Sequence, residues 1–116
     1  MFKSVEYVGF ENDAELALLV RRLMPVLEDE IRTWKDDIAV RWCSETQATS
    51  SGVRLDLTLT LNDKTVSANR LISNHDLHDD AEARYQIRRV WVSVLDRYLE
   101  TSLQRLRESL LQPVEG

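Results

Sequence analysis

The stretch Val53-Arg54-Leu55-Asp56-Leu57-Thr58-Leu59-Thr60-Leu61-Asn62 alternates without a slip between aliphatic and polar residues. Successive side chains of an extended strand point to opposite faces, so this is a strand with one apolar face and one wet face. Parallel sheets bury both faces. A strand of this kind therefore belongs to a largely antiparallel sheet covered on one side only.

Upstream, Ile38, Val40 and Trp42 alternate with Ala39, Arg41 and Cys43, which predicts a second strand. Between the two lies Thr46-Gln47-Ala48-Thr49-Ser50-Ser51-Gly52, a polar run that reads as a mobile hairpin loop. Downstream, Asn62-Asp63-Lys64 turns the chain into a shorter strand around positions 65–71. Positions 2–10 carry the β-formers Val5, Tyr7 and Val8 and predict a first strand, with only weak alternation.

Two amphipathic helical patterns flank these strands. Asn12 or Asp13 caps the first, and Asn12 with Glu15 has the spacing of a capping box. Leu16, Leu19, Val20, Leu23, Leu27, Ile31 and Trp34 then recur at three- and four-residue steps along one helical face. Pro25 lacks an amide proton and crowds the carbonyl of Arg21, which predicts a kink within one continuous stripe. The second helix is expected over about 79–111, with Asp79, Asp80 and Glu82 at its start, Arg105 and Arg107 near its end, and Pro113 stopping it. The fold class is therefore α+β: one domain over 1–116, with a four-stranded largely antiparallel sheet in the order β-α-β-β-β-α and two long helices covering one face.

Around the second helix, Ile87, Trp91, Val94 and Tyr98 form one apolar line; Leu95, Leu99, Leu103, Leu106 and Leu110 form another, rotated from it. A helix that only covers a sheet needs one line. The second predicts either an oblique crossing of the sheet or a further contact, with the other helix or with a second copy of the chain.

At 116 residues the chain can bury a core without disulfides or metals. No apolar run approaches the ~20 residues of a membrane span. Glu6 stands where a signal peptide would carry its apolar stretch, and Cys43 is the only cysteine. Together these predict a cytoplasmic protein with no membrane contact. The net charge of −5, from 15 Lys and Arg against 20 Asp and Glu, argues against general nucleic-acid binding. Lys3, Lys35 and Lys64 are the only lysines, so the other twelve cations are arginines, which suit bidentate contacts with carboxylates or phosphates.

No motif compels a reaction or a cofactor, and none is expected. The segment His75-Asp76-Leu77-His78-Asp79-Asp80 is the one place where metal-capable side chains gather, with His75, His78 and Asp79 as candidate ligands. It lacks a defined third ligand, and a helix start accounts for its Asp residues unaided. Cys43 has no sequence neighbour that would activate a thiol and reads as a small residue on the sheet. Gly9, Gly52 and Gly116 are too scattered to cradle a phosphate. Trp34, Trp42 and Trp91 fall on apolar stripes and are expected in the core. The wet sheet face, with Arg41, Glu45, Arg54, Asp56, Thr58 and Thr60, is a flat mixed-charge surface able to dock a protein or to pair its own charges.

Strand, helix, three antiparallel strands and long helix is an order that resembles the small ribosome-hibernation factors over nearly the whole chain. Its last five elements resemble double-stranded-RNA-binding domains. The resemblance implies a ribosome- or RNA-associated factor, with Arg84, Arg88, Arg89 and Arg97, and beyond them Arg105 and Arg107, as phosphate contacts. The residues depart from both families: Glu28, Asp29 and Glu30 occupy the outer face of the first helix, and the long helix begins Asp79-Asp80-Ala81-Glu82 instead of a basic start. Taken together, the sequence predicts a small non-catalytic protein-binding or regulatory domain, a homo-oligomer or the partner of another protein. Its expected contact is Leu99, Leu103, Leu106 and Leu110.

Overall fold

The computed structural model describes residues 1–46 and 51–111. Its elements are β1 (Ser4–Val8), α1 (Ala14–Ile31), a 3-10 turn (Arg32–Asp37), β2 (Ile38–Thr46), β3 (Ser51–Leu61), β4 (Lys64–Ser73), the one-turn α2 (Asn74–Leu77) and α3 (Asp80–Leu111). The strands form one sheet in the order β1-β2-β3-β4. β2, β3 and β4 pair antiparallel, while β1 runs parallel to β2 with Ser4 opposite Ala39 and Val8 opposite Cys43. The sheet is thus mixed and mostly antiparallel, with α1 supplying the crossover that a parallel pair requires.

The alternation of β3 maps directly onto burial. Val53, Leu55, Leu57 and Leu59 are buried, and Arg54, Asp56, Thr58 and Thr60 lie on the other face. Register carries that division across the sheet: Val40 and Ala68 flank Leu57, and Trp42 lies opposite Leu55. Onto this face α1 contributes Leu16, Val20, Leu23, Leu27 and Ile31, and α3 contributes Ala83, Ile87, Val90, Trp91 and Val94. Trp42 donates its indole N–H to Met24 Sδ at 3.2 Å, so its one polar atom is paired inside the core.

Local chemistry explains the joints. Asp13 caps α1, its carboxylate accepting from the Leu16 amide at 3.0 Å. Asp79 does the same for α3, accepting from Ala81 and Glu82. Asn62 and Asp63 both take positive φ, 54° and 63°, as a two-residue turn between paired antiparallel strands requires. At Gly52 a Cβ would run into the carbonyl oxygen of Ile72, so no larger residue fits beside β4 there.

α1 runs through Pro25 as one helix, as the unbroken stripe requires, with Pro25 on the exposed side where the freed carbonyl can turn to water. The structure departs from the sequence expectations in three places. α1 then ends at Ile31, because Arg32 takes a left-handed φ of 57°. That residue breaks the helical phase and rotates Trp34 out of the stripe, leaving it 40% exposed while Trp42 and Trp91 are buried. β4 is longer than expected, ten residues instead of seven, because its whole length pairs with β3. The expected hairpin loop shrinks: β2 extends through Thr46 and β3 begins at Ser51, while positions 47–50 lie outside the described residues, as does Pro113.

Leu57 is fully buried in the middle of an inner strand. Leu57→Ala should therefore cost roughly 2–5 kcal/mol in denaturant titrations. Thr58→Ala, one residue along on the open face, should cost under about 1 kcal/mol. Equal losses would contradict the division of faces.

Candidate interaction surface

α3 has 32 residues and spans about 48 Å; β3, with 11, spans about 36 Å. The helix outruns the body it covers. Its last attachments come from the β3–β4 hairpin. Asn62 Nδ2 donates to the Tyr98 hydroxyl at 3.4 Å, the Lys64 ammonium lies 5.1 Å from the centre of the Tyr98 ring, and Lys64 donates to the Ser102 hydroxyl. From Leu103 to Leu110 every residue is exposed.

The expected interaction residues lie on this overhang. Leu99, Leu103, Leu106 and Leu110 are between 56% and 75% exposed and share one face. Leu95, expected on the same line, is instead half-buried against the core, as is Tyr98. The exposed line also reaches further back than the sequence reading took it. Tyr85 and Val92 are exposed, and Tyr85, Val92, Leu99 and Leu106 follow one another at seven-residue steps. A strict seven-residue repeat is the pattern of a helix that meets another helix. It was legible in the sequence, hidden by the stronger inward line beside it.

α3 is fixed to α1 by charge. Arg84 Nη1 donates to Asp29 Oδ2 at 2.8 Å and to Glu30 Oε1 at 2.9 Å, and Arg88 donates through Nε and Nη2 to Glu30 at 3.1 and 3.0 Å. The Glu30 side chain is only 11% exposed. The Arg88 hydrogen bond, followed by the Arg84 contacts, holds its carboxyl below the usual carboxylate range despite the burial that opposes this. Two of the six arginines considered as phosphate contacts are therefore engaged with α1. Of the others, Arg89 donates to the Tyr85 hydroxyl at 2.9 Å, Arg97 donates to the Ser67 carbonyl on the β4 edge, and Arg105 and Arg107 are exposed on the last turns of α3.

The outer face of the sheet is the second polar surface. Arg54 forms a fork to Glu45 at 2.6 and 3.1 Å and reaches Asn69 at 2.8 Å, so three strands are tied together by one guanidinium. That pairing lowers the Glu45 pKa and raises that of Arg54. Arg41 lies 3.7 Å from Glu6 on β1. Cys43 is half-buried on the same face, directly across from Arg54. Asp56 keeps one buried carboxylate oxygen without a partner among the described groups.

His75, on α2, and His78, just after it, are both exposed. His78 Nδ1 lies 2.7 Å from the Asn74 carbonyl, and Asp79 is occupied in capping α3. Among the described residues no three His, Cys, Asp or Glu side chains converge on a point that would hold a metal ion. Among the same residues, no helix is long and apolar enough to cross a membrane.

No protein-family model matches this chain, and no curated protein matches it at a significant level.

The Glu30 contacts set a pH dependence. A carboxyl whose folded pKa lies below its unfolded value stabilises the fold fully above about pH 5, and that contribution fades as pH falls through the folded value. Glu30→Gln should lower the Tm at pH 7, and the gap to the parent should narrow in acid as the parent's own carboxyl takes up its proton. A gap that does not change with pH would contradict the ionic origin of this link.

Proposed function

We propose that this chain is a non-catalytic protein-binding domain that self-associates through the overhanging end of α3. The observation that carries the reading is the row Leu99, Leu103, Leu106 and Leu110, four large apolar side chains on one face of a helix that has left its own core. Scattered surface leucines need no explanation, but a contiguous apolar line on a projecting helix is the kind of surface that a partner covers. The partial burial of Leu95 supports it further. Leu95 points the inward line at the sheet, and the outward line keeps its own face.

The RNA-associated alternative rests on element order and on Arg84, Arg88, Arg89 and Arg97. It receives less support, because the guanidinium donors of Arg84 and Arg88 go to Asp29 and Glu30. Fold analogy by itself carries little about function. A phosphate-binding protein would also lose affinity steeply as salt rises, which a contact between leucines would not.

Light scattering coupled to gel filtration tests the reading. The parent should shift from monomer towards dimer mass as its concentration rises into the high micromolar range. Leu106→Glu should remain a monomer with an unchanged circular dichroism spectrum, because residue 106 is exposed on the overhang. A parent that stays monomeric throughout sinks the proposal.

A further inference from the structure

Resting on that reading, we infer that the second copy binds antiparallel, across a two-fold axis passing midway between Leu103 and Leu106. Lengths argue for it first. The seam begins at Leu99, beside the last clamp at Tyr98 and Ser102, and its fourth leucine is Leu110, one residue before the described end of α3. Turning one overhang end over end onto another places Leu103 against the partner's Leu106 and Leu99 against the partner's Leu110. All four leucines of each copy then meet leucines, with one folded body at each end of the pair.

Charge argues for it second. Glu100 and Arg107 flank the leucine line on the same side, seven residues apart, and both are exposed. Neither forms an ion pair among the described residues, and the neighbouring Glu108 already accepts from Gln104. The same two-fold axis brings Glu100 of each copy beside the partner's Arg107, so one residue pair gives two ion pairs. A parallel dimer gives neither. It would also set Asp96 against the partner's Asp96 and Arg89 against the partner's Arg89, because both lie in the seven-residue register of Leu103 and Leu110. It would further crowd the two bodies onto the same end.

Eight half-exposed leucines and their flanks cover on the order of 1,000 Å², just below the ~1,200–2,000 Å² of standard interfaces. The dimer is accordingly reversible. It is an elongated assembly with a folded body at each end, and it presents two copies of the open sheet face far apart.

Pulsed electron–electron resonance reads the orientation directly. Spin labels at Val92→Cys, in a Cys43→Ser background, lie outside the overlap and should sit about 40 Å apart across the antiparallel dimer. A distance near 10–20 Å, in a sample that scattering shows to be dimeric, overturns the antiparallel register while leaving self-association intact. It would mean either a parallel pair or an overlap extending back to Val92. Charge reversal gives a second readout that does not depend on labels. Glu100→Arg and Arg107→Glu should each weaken dimerisation by about tenfold, and the double variant should restore it. Single variants that dimerise like the parent also overturn the arrangement. A monomeric parent at high micromolar concentration removes both this inference and the reading beneath it.

Discussion

One mismatch of length governs this molecule: the apolar face of a four-stranded sheet can hide only part of a 32-residue helix. Over the length of the sheet the apolar face is covered. Val53, Leu55, Leu57 and Leu59 of β3 meet two helices, the fully buried indole of Trp42 finds a sulfur acceptor, and no polar or charged residue is buried among the described residues. Where the sheet ends, the helix continues on its own backbone hydrogen bonds with leucines facing water. Exposure of that kind weakens a lone molecule only slightly, yet it is a standing source of association energy, since each leucine side chain removed from water contributes on the order of 1.5–3 kcal/mol.

The overhang is only useful if the rest of α3 is held firmly, and two devices hold it. Arg84 and Arg88 lock its first half to Asp29 and Glu30 of α1. The β3–β4 hairpin clamps its middle through Asn62, Lys64, Tyr98 and Ser102. A helix pinned at both places projects in a fixed direction, so the proposed partner would meet an ordered surface and would not bear the cost of ordering a loose one. Two of the six arginines that suggested an RNA-binding helix, Arg84 and Arg88, are part of this fastening.

Much of the fold was legible because burial is written into periodicity. Val53 to Leu61 alternates so cleanly that its strand and its faces follow from the sequence, and the stripe from Leu16 to Ile31 defines α1 equally well. β1 was weakly marked for a physical reason: it is an edge strand, exposed along its whole length, and neither of its faces is sorted by burial. Trp34 was misplaced because a single left-handed residue, Arg32, resets the phase, and an Arg carries no signal for that conformation. The Arg84–Glu30 link joins residues 54 apart, beyond the reach of any local pattern. In the interaction surface, the leucine row was visible, but its division from the half-buried Leu95 was not. One position of rotation decides between core and solvent, and only packing fixes that angle.

Hydrogen–deuterium exchange followed across protein concentration tests the central claim most directly, because it reads the overhang itself. Amides of residues 103–110 should be protected at high micromolar protein and lose that protection on dilution, while amides of the buried segment from Ile87 to Val94 exchange at the same slow rate throughout. Exchange in residues 103–110 that is equally fast at every concentration would show that nothing covers the leucines, and the account of a self-associating domain would fall.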